Sequence, residues 1–263
     1  MKILKGMKDG TVLEVAHLKK WFPVRTDIIS NLLGKKQTYV KAVDDVSFEV
    51  HRGEVFGLAG ESGCGKTTTG KTVLRLLEPT AGEILFDGVD LVSLTKSEMR
   101  SIRKNMQIIY QDPYESLNPR MTIFDIICEP ISIHKLAAKL SERKELVART
   151  LEDVELAPPE EFMRRYPHEL SGGQRQRVAI ARALVLDPKF IVADEPISML
   201  DVSIRAGILG LMLRLKERLH MSYLFITHDL AVARHICHRL AIMYLGRIVE
   251  VGPTERLVAS PSH

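Results

Sequence analysis

The chain has 263 residues, 45% of them hydrophobic and 27% charged, with a net charge of +4. That length suffices for one large domain, or a domain with a subdomain, around a sizeable core. The charge is mild and no basic run is long enough to act as an electrostatic footprint, so nothing demands nucleic acid.

In chain order, "MKILKGMKDG" carries no sustained apolar segment, and no signal peptide is expected. No run approaches the ~18 apolar residues that would span a bilayer. "VLEVAHLKKWF" and "KAVDDVSFEV" read as strands on either side of a loop excursion, "PVRTDIISNLLGKKQTY". "EVFGLAG" is a short apolar strand running into glycine, and a helix follows from Lys66 to about Leu77. "GEILFDG" is a strand between turn signals. Thr95 stands three residues before Glu98, a capping-box start for the helix of "TKSEMRSIRKN". "NMQIIYQDP" gives a strand ending at Gln111.

From Asp112 to Tyr166 the pattern turns helical, in "IFDIICEPISIH" and "SERKELVARTLEDVEL", with "APPEEFMRRYP" as a proline-punctuated link. Ser171 opens the next helix. Strands then alternate with helices again: "KFIVADEP", "VSIRAGILGLMLRLKERLH", "SYLFITHD", "LAVARHICH", "RLAIMYLG" and "RIVEVG". This alternation predicts an α/β fold with a mostly parallel sheet. The expected division is a core of 1–111 plus 176–263, with an inserted helical subdomain over 112–175. Cys64, Cys128 and Cys237 are scattered without CxxC spacing, which leads to the expectation of a reduced, intracellular protein.

"GESGCGKTT" fits G-x-x-x-x-G-K-[ST] and stands between a strand and a helix. Gly60, Glu61, Ser62, Gly63, Cys64, Gly65, Lys66, Thr67 and Thr68 are thus the candidate phosphate binders. Backbone N–H groups and the helix dipole would meet the anion, with Lys66 on the β- and γ-phosphates and Thr67 on Mg²⁺. "FIVADE" is an apolar strand delivering two carboxylates to a sheet edge. Asp194 suits Mg²⁺, and Glu195 is placed to polarise an attacking water as general base. Gln111 follows a strand to the same edge, where it would touch Mg²⁺ and that water. His228 does likewise toward the γ-phosphate, although pattern alone makes a lone histidine structural.

The ordered set "GESGCGKTT", "YQDP", "LSGGQRQR", "VADEP", "SMLD" and "ITHD" resembles the Walker A, Q-loop, signature, Walker B, D-loop and H-loop of ABC-transporter ATPases. The resemblance covers nearly the whole chain. "IIYQDPYESLNPRMTI" looks like the ATPase subunits of the oligopeptide/dipeptide importers, whose relatives also move nickel or oligosaccharides. It implies a P-loop NTPase with a RecA-like core, an N-terminal antiparallel β subdomain and the helical insertion. It implies Glu195, His228, Lys66 and Gln111 as catalytic residues, and ATP with Mg²⁺ bound through Thr67, Gln111 and Asp194.

The same resemblance implies head-to-tail pairing with a second ATPase subunit, identical or homologous. Ser171, Gly172, Gly173, Gln174 and Asp201 would then serve the partner's nucleotide. Two permease subunits, indirectly a solute-binding protein, and a peripheral place on the cytoplasmic face of the membrane follow, with no role for nucleic acid. An aromatic residue should stack on adenine; the family spacing from Leu18 favours Phe22, with Trp21 and Tyr39 as alternatives. Tyr114, Leu117 and Met121 would line the groove that receives a permease helix, or else belong to the subdomain core. Arg175 and Arg177 are either interface residues or a solvated face.

Two departures stand out. "DEPISMLD" replaces the usual "DEPTSALD", which places bulk at Ile197 and Met199. The chain stops at "ASPSH", short of an extension that carries a cysteine cluster in some relatives, so no iron–sulfur cluster is expected in it.

Overall fold

The computed structural model describes residues 9–24 and 37–262. The N-terminal stretch and most of the expected loop excursion lie outside the described residues. The first elements are β1 (Thr11–Pro23), β2 (Tyr39–His51), β3 (Val55–Ala59), α1 (Lys66–Val73), β4 (Ala81–Phe86), β5 (Val89–Asp90) and α2 (Lys96–Ile102). Then come β6 (Met106–Ile109), α3 (Pro113–Ser116), α4 (Ile123–Ile133), α5 (Leu140–Asp153), α6 (Pro159–Arg164) and α7 (Gly172–Leu184). The last are β7 (Phe190–Asp194), α8 (Val202–Leu219), β8 (Ser222–Thr227), α9 (Leu230–Ile236), β9 (Arg239–Tyr244), β10 (Arg247–Pro253) and α10 (Thr254–Ala259).

The chain divides into two compact units. The first holds the described residues up to His51, then Phe56–Leu94 and the described residues from Ile226 onward. Its four-stranded antiparallel sheet runs β2-β1-β4-β5. Leu13, Val15, Leu18, Val43, Val46 and Val50 are buried. Bulges at His17 and Asp45, both with positive φ, shift the alternation of β1 and β2 so that this face stays apolar. Phe48 stacks on Phe56 with ring centroids 5.3 Å apart. Beside it, β3 pairs in parallel with β9, and β10 pairs antiparallel on β9's other side.

The second unit holds 52–55 and 95–225. In it β6 and β7 pair in parallel, Ile109 opposite Ala193. All five residues of β7 are buried, which explains why it reads as an unbroken apolar run instead of an alternating one.

The observed division differs from the one expected at 111/112 and 175/176. The 112–175 stretch lies wholly inside the second unit, together with β6, β7 and α8. The reason is α7, which packs on β6 as well as on α3, α4 and α5. Three local expectations also shift. The helix opened by Lys66 stops at Val73, because Leu74 leaves helical geometry and Arg75 turns to φ 48°. β6 ends at Ile109, two residues before Gln111. The proline link contains α6, with Pro159 in the first turn, where its missing N–H costs nothing.

Candidate functional site

The phosphate loop is built by β3, which delivers Ala59, and by three glycines with positive φ: Gly60 at 153°, Gly63 at 79° and Gly65 at 110°. Two of them are also pressed against backbone. A Cβ on Gly60 would strike the Met243 carbonyl oxygen, and one on Gly65 the Ala42 carbonyl oxygen. Gly65 stands at the N-cap of α1 without any side-chain cap. A helix start without a capping side chain is suited to an anion. Lys66 is only 4% exposed and folds back over the loop, its Nζ donating to the carbonyls of Gly60 and Glu61, each at 2.8 Å. The Cys64 side chain is buried, so this residue lends the loop its backbone.

A support that the motif does not announce is the turn between β9 and β10. The Gly246 N–H donates to the Cys64 carbonyl at 2.9 Å, and the Gly246 carbonyl accepts from Asp44 N–H at 2.8 Å. Arg247 adds a 2.8 Å ion pair to Asp44, whose carboxyl that hydrogen bond holds below the usual range. The glycine in "YLGR" is the sequence signal that points to this turn.

In the second unit, β7 ends on Asp194, 3% exposed. Glu195 follows with φ 46°, a left-handed conformation that non-glycine residues rarely adopt. Its carbonyl is pinned by the Ser198 N–H at 3.2 Å and the Ser198 hydroxyl at 3.0 Å. This sharp turn re-aims the carboxylate so that Gln111 Nε2 lies 3.4 Å from Glu195 Oε2. The parallel pairing of β6 and β7 is what brings the two side chains to one edge. His228 directly follows β8 and is exposed. The next residue, Asp229, caps α9 by accepting from Ala231 N–H at 2.9 Å and Val232 N–H at 3.3 Å.

Ser171 is exposed and caps α7 in a capping box. Its Oγ accepts from Gln174 N–H at 3.3 Å, and Gln174 Oε1 accepts from Ser171 N–H at 3.0 Å. The Ser171 O–H hydrogen remains to donate outward. Gly173, by contrast, is buried. A Cβ there would sit 2.7 Å from Ile204 Cγ2, so this glycine lets α8 approach. Asp201 stands at the N-cap of α8, exposed, without a side-chain capping bond. The departures beside it resolve simply: Ile197 is buried and Met199 is 63% exposed.

Arg175 and Arg177 of the signature helix are both tied down within the second unit. Arg175 is buried, donates to the Pro167 carbonyl at 3.2 Å and lies 3.9 Å from the Tyr114 ring centroid. Arg177 donates to the Val154 carbonyl and to Glu155, both at 2.7 Å. Of the three expected groove residues, Tyr114 is 62% exposed and Met121 half-buried, but Leu117 is 2% exposed and belongs to the core. Among the candidate aromatics, Trp21 and Tyr39 pack together with centroids 6.2 Å apart, and Lys41 lies over Trp21. Successive residues of a strand face opposite ways. Phe22, beneath Lys20, thus occupies the other face of β1.

A glycine-cradled lysine loop at a helix start, and a buried strand ending in Asp-Glu, define a P-loop ATPase. Residues 43–198 match the ABC transporter family. The oligopeptide transport ATP-binding protein AppF of Bacillus subtilis is 49% identical over 99% of this chain and 77% of its own length. A putative peptide import ATP-binding protein of Brucella ovis is 55% identical over 98% of this chain and 77% of its own. Among solved structures, the ATP-binding cassette MJ0796, a dimer in a post-hydrolysis state bound to ADP and Pi, aligns with a TM-score of 0.78. Its identity is 28%, over 92% of this chain and 98% of that one. The chain belongs to the ABC transporter family, as an ATP-binding and ATP-hydrolysing subunit.

Proposed function

We propose that this subunit drives uptake of peptides or a related small solute, docked on two permease subunits at the cytoplasmic face of the membrane. The names of the curated relatives favour peptides. Among the described residues no helix is long and apolar enough to cross a membrane, so the path for the solute is assigned to the permeases. An extracytoplasmic binding protein would select the cargo.

The observation that carries the ATPase reading is the uncapped, glycine-cradled start of α1 with Lys66 folded over it. Its space is closed to any Cβ at Gly60 and Gly65, and its donors are cationic and backbone N–H, which fits a polyphosphate. Lys66 moves from the loop carbonyls to the β- and γ-phosphates. Glu195 takes the proton of the attacking water, and Gln111 holds the carboxylate and water in line. His228 donates to the γ-phosphate. Thr67, Gln111 and Asp194, all oxygen ligands, suit Mg²⁺, which would neutralise charge developing on the phosphate oxygens.

Ser171, Gly172, Gln174 and Asp201 serve the nucleotide of a second ATPase subunit, so that ATP closes the pair and hydrolysis reopens it. Phe22 stacks on adenine. The test is transport in proteoliposomes containing the permeases, with binding protein and labelled peptide. ATP-dependent uptake is expected in the wild type and should vanish with Glu195→Gln. Uptake at the wild-type rate in that variant would overturn the general-base role, and ATPase activity without peptide uptake would overturn the cargo.

A further inference from the structure

Within the second unit, the segment from Gln111 to Ser116 touches two pieces of chemistry at once. Its first residue, Gln111, holds Glu195 at 3.4 Å. Its exposed Tyr114 covers Arg175, in the first turn of α7, at 3.9 Å. Its last carbonyl, on Ser116, accepts from Arg182 Nη1 at 2.6 Å, in the last turn of the same helix. The segment itself is stiffened by Asp112, whose side chain accepts from Tyr114 N–H at 2.7 Å, and by Pro113 in its first turn.

Arg175 is held with little redundancy. Its guanidinium is buried, donates to the Pro167 carbonyl, and keeps Nε without a hydrogen-bond partner. A buried cation so sparsely satisfied depends heavily on the aromatic face over it. Pro167, its one hydrogen-bond acceptor among the described residues, belongs to the short turn that leads into Ser171. Displacing the Tyr114 ring therefore loosens the guanidinium that fixes the approach to the signature.

We infer that Arg175 is a positioning residue for Ser171, and that Tyr114 sets it. Tyr114 thereby joins the chain's own hydrolytic carboxylate to the serine it offers to the partner's nucleotide. The inference rests on the reading of Ser171 as the reader of the partner subunit's ATP. The hydroxyl of Tyr114 plays no part, because the ring face makes the contact.

The test uses the transporter purified with its permeases, together with titration of the isolated full chain by a fluorescent ATP analogue. Tyr114→Ala should lower kcat for ATP about tenfold, a loss of one stacking contact in the reacting state. Its analogue affinity should stay within about twofold, since the phosphate loop is untouched. Tyr114→Phe should stay within about twofold in both, and Arg175→Lys should fall with Tyr114→Ala because the planar group is lost. An unchanged kcat for Tyr114→Ala, or a Phe variant as slow as the Ala variant, overturns the inference. So does failure of Tyr114→Ala to co-purify with the permeases, which would assign the ring to docking itself. A wild-type assembly that binds ATP without hydrolysing it would overturn the transporter reading, and this inference with it.

Discussion

Gln111 and Glu195 follow the ends of neighbouring parallel strands and meet with Nε2 and Oε2 3.4 Å apart. The contact is long for a hydrogen bond and leaves room to tighten around a water when substrate arrives. Glu195→Gln should lower kcat by about 10²–10⁴-fold while nucleotide binding persists. Gln111→Ala, which removes one positioning contact, should cost about tenfold. Steady-state ATPase assays beside analogue titrations check both. Equal losses in the two variants would mean that Gln111 does more than hold its neighbour.

The loop glycines make a graded prediction. Gly63 and Gly65 both have positive φ, but only Gly65 is backed by a carbonyl. Gly63→Ala should cost about 1 kcal/mol of stability from its backbone conformation alone and keep measurable ATP affinity. Gly65→Ala must also move backbone, should cost about 1–3 kcal/mol, and should lose ATP binding. Thermal denaturation and analogue titration separate the two; similar behaviour would show that the carbonyl contact is unimportant.

Leu117 and Met199 test the burial assignments. Leu117→Ala should destabilise by about 2–5 kcal/mol, since its side chain is 2% exposed. Met199→Ala, at 63% exposure, should stay within about 0.5 kcal/mol. Denaturant midpoints decide, and a neutral Leu117→Ala would return that residue to the surface.

Glu155 gives a pH prediction. It accepts from Arg177 at 2.7 Å and pairs with Arg214, tying the end of α5 to α7 and α8. Arg177's hydrogen bond is the main cause that holds its carboxyl below the ordinary 4.5. A depressed carboxylate contributes stability that is complete above 4.5 and fades as pH falls through the lower folded value. Its side chain is 49% exposed, so solvent limits the gain to about 1 kcal/mol. Glu155→Gln should melt earlier than wild type at neutral pH, and the gap should close in acid below 4.5. A gap that widens in acid would reverse the assignment.

Much of this was legible in the sequence because the chemistry depends on short local patterns. The loop glycines, the Asp-Glu strand end, the Thr95–Glu98 capping box, the helix start at Ser171 and the strand–helix alternation are all near-neighbour features. What escaped depends on contacts distant in sequence. The Gly246 brace on Cys64 spans the chain from β9 back to the phosphate loop. Leu117 lies in a polar stretch whose exposure no periodicity fixes. The burial of Arg175 and the pairing of the half-buried Arg177 needed α3 and the end of α5 to meet them, which no one-dimensional pattern displays. The compact units fall elsewhere than the expected boundaries for the same reason, since α7 packs on both a strand and the inserted helices.

The obstacles behind Gly60 and Gly65 are main-chain carbonyls, of Met243 and Ala42. Every residue type carries that atom, so no substitution at position 42 or 243 can trim it. A genetic screen for second-site rescue of Gly65→Ala should therefore return true revertants and few suppressors nearby. Gly173, which faces the trimmable side chain of Ile204, should yield suppressors at 204. Two kinds of glycine in one protein thus differ in how freely their surroundings can drift over evolutionary time.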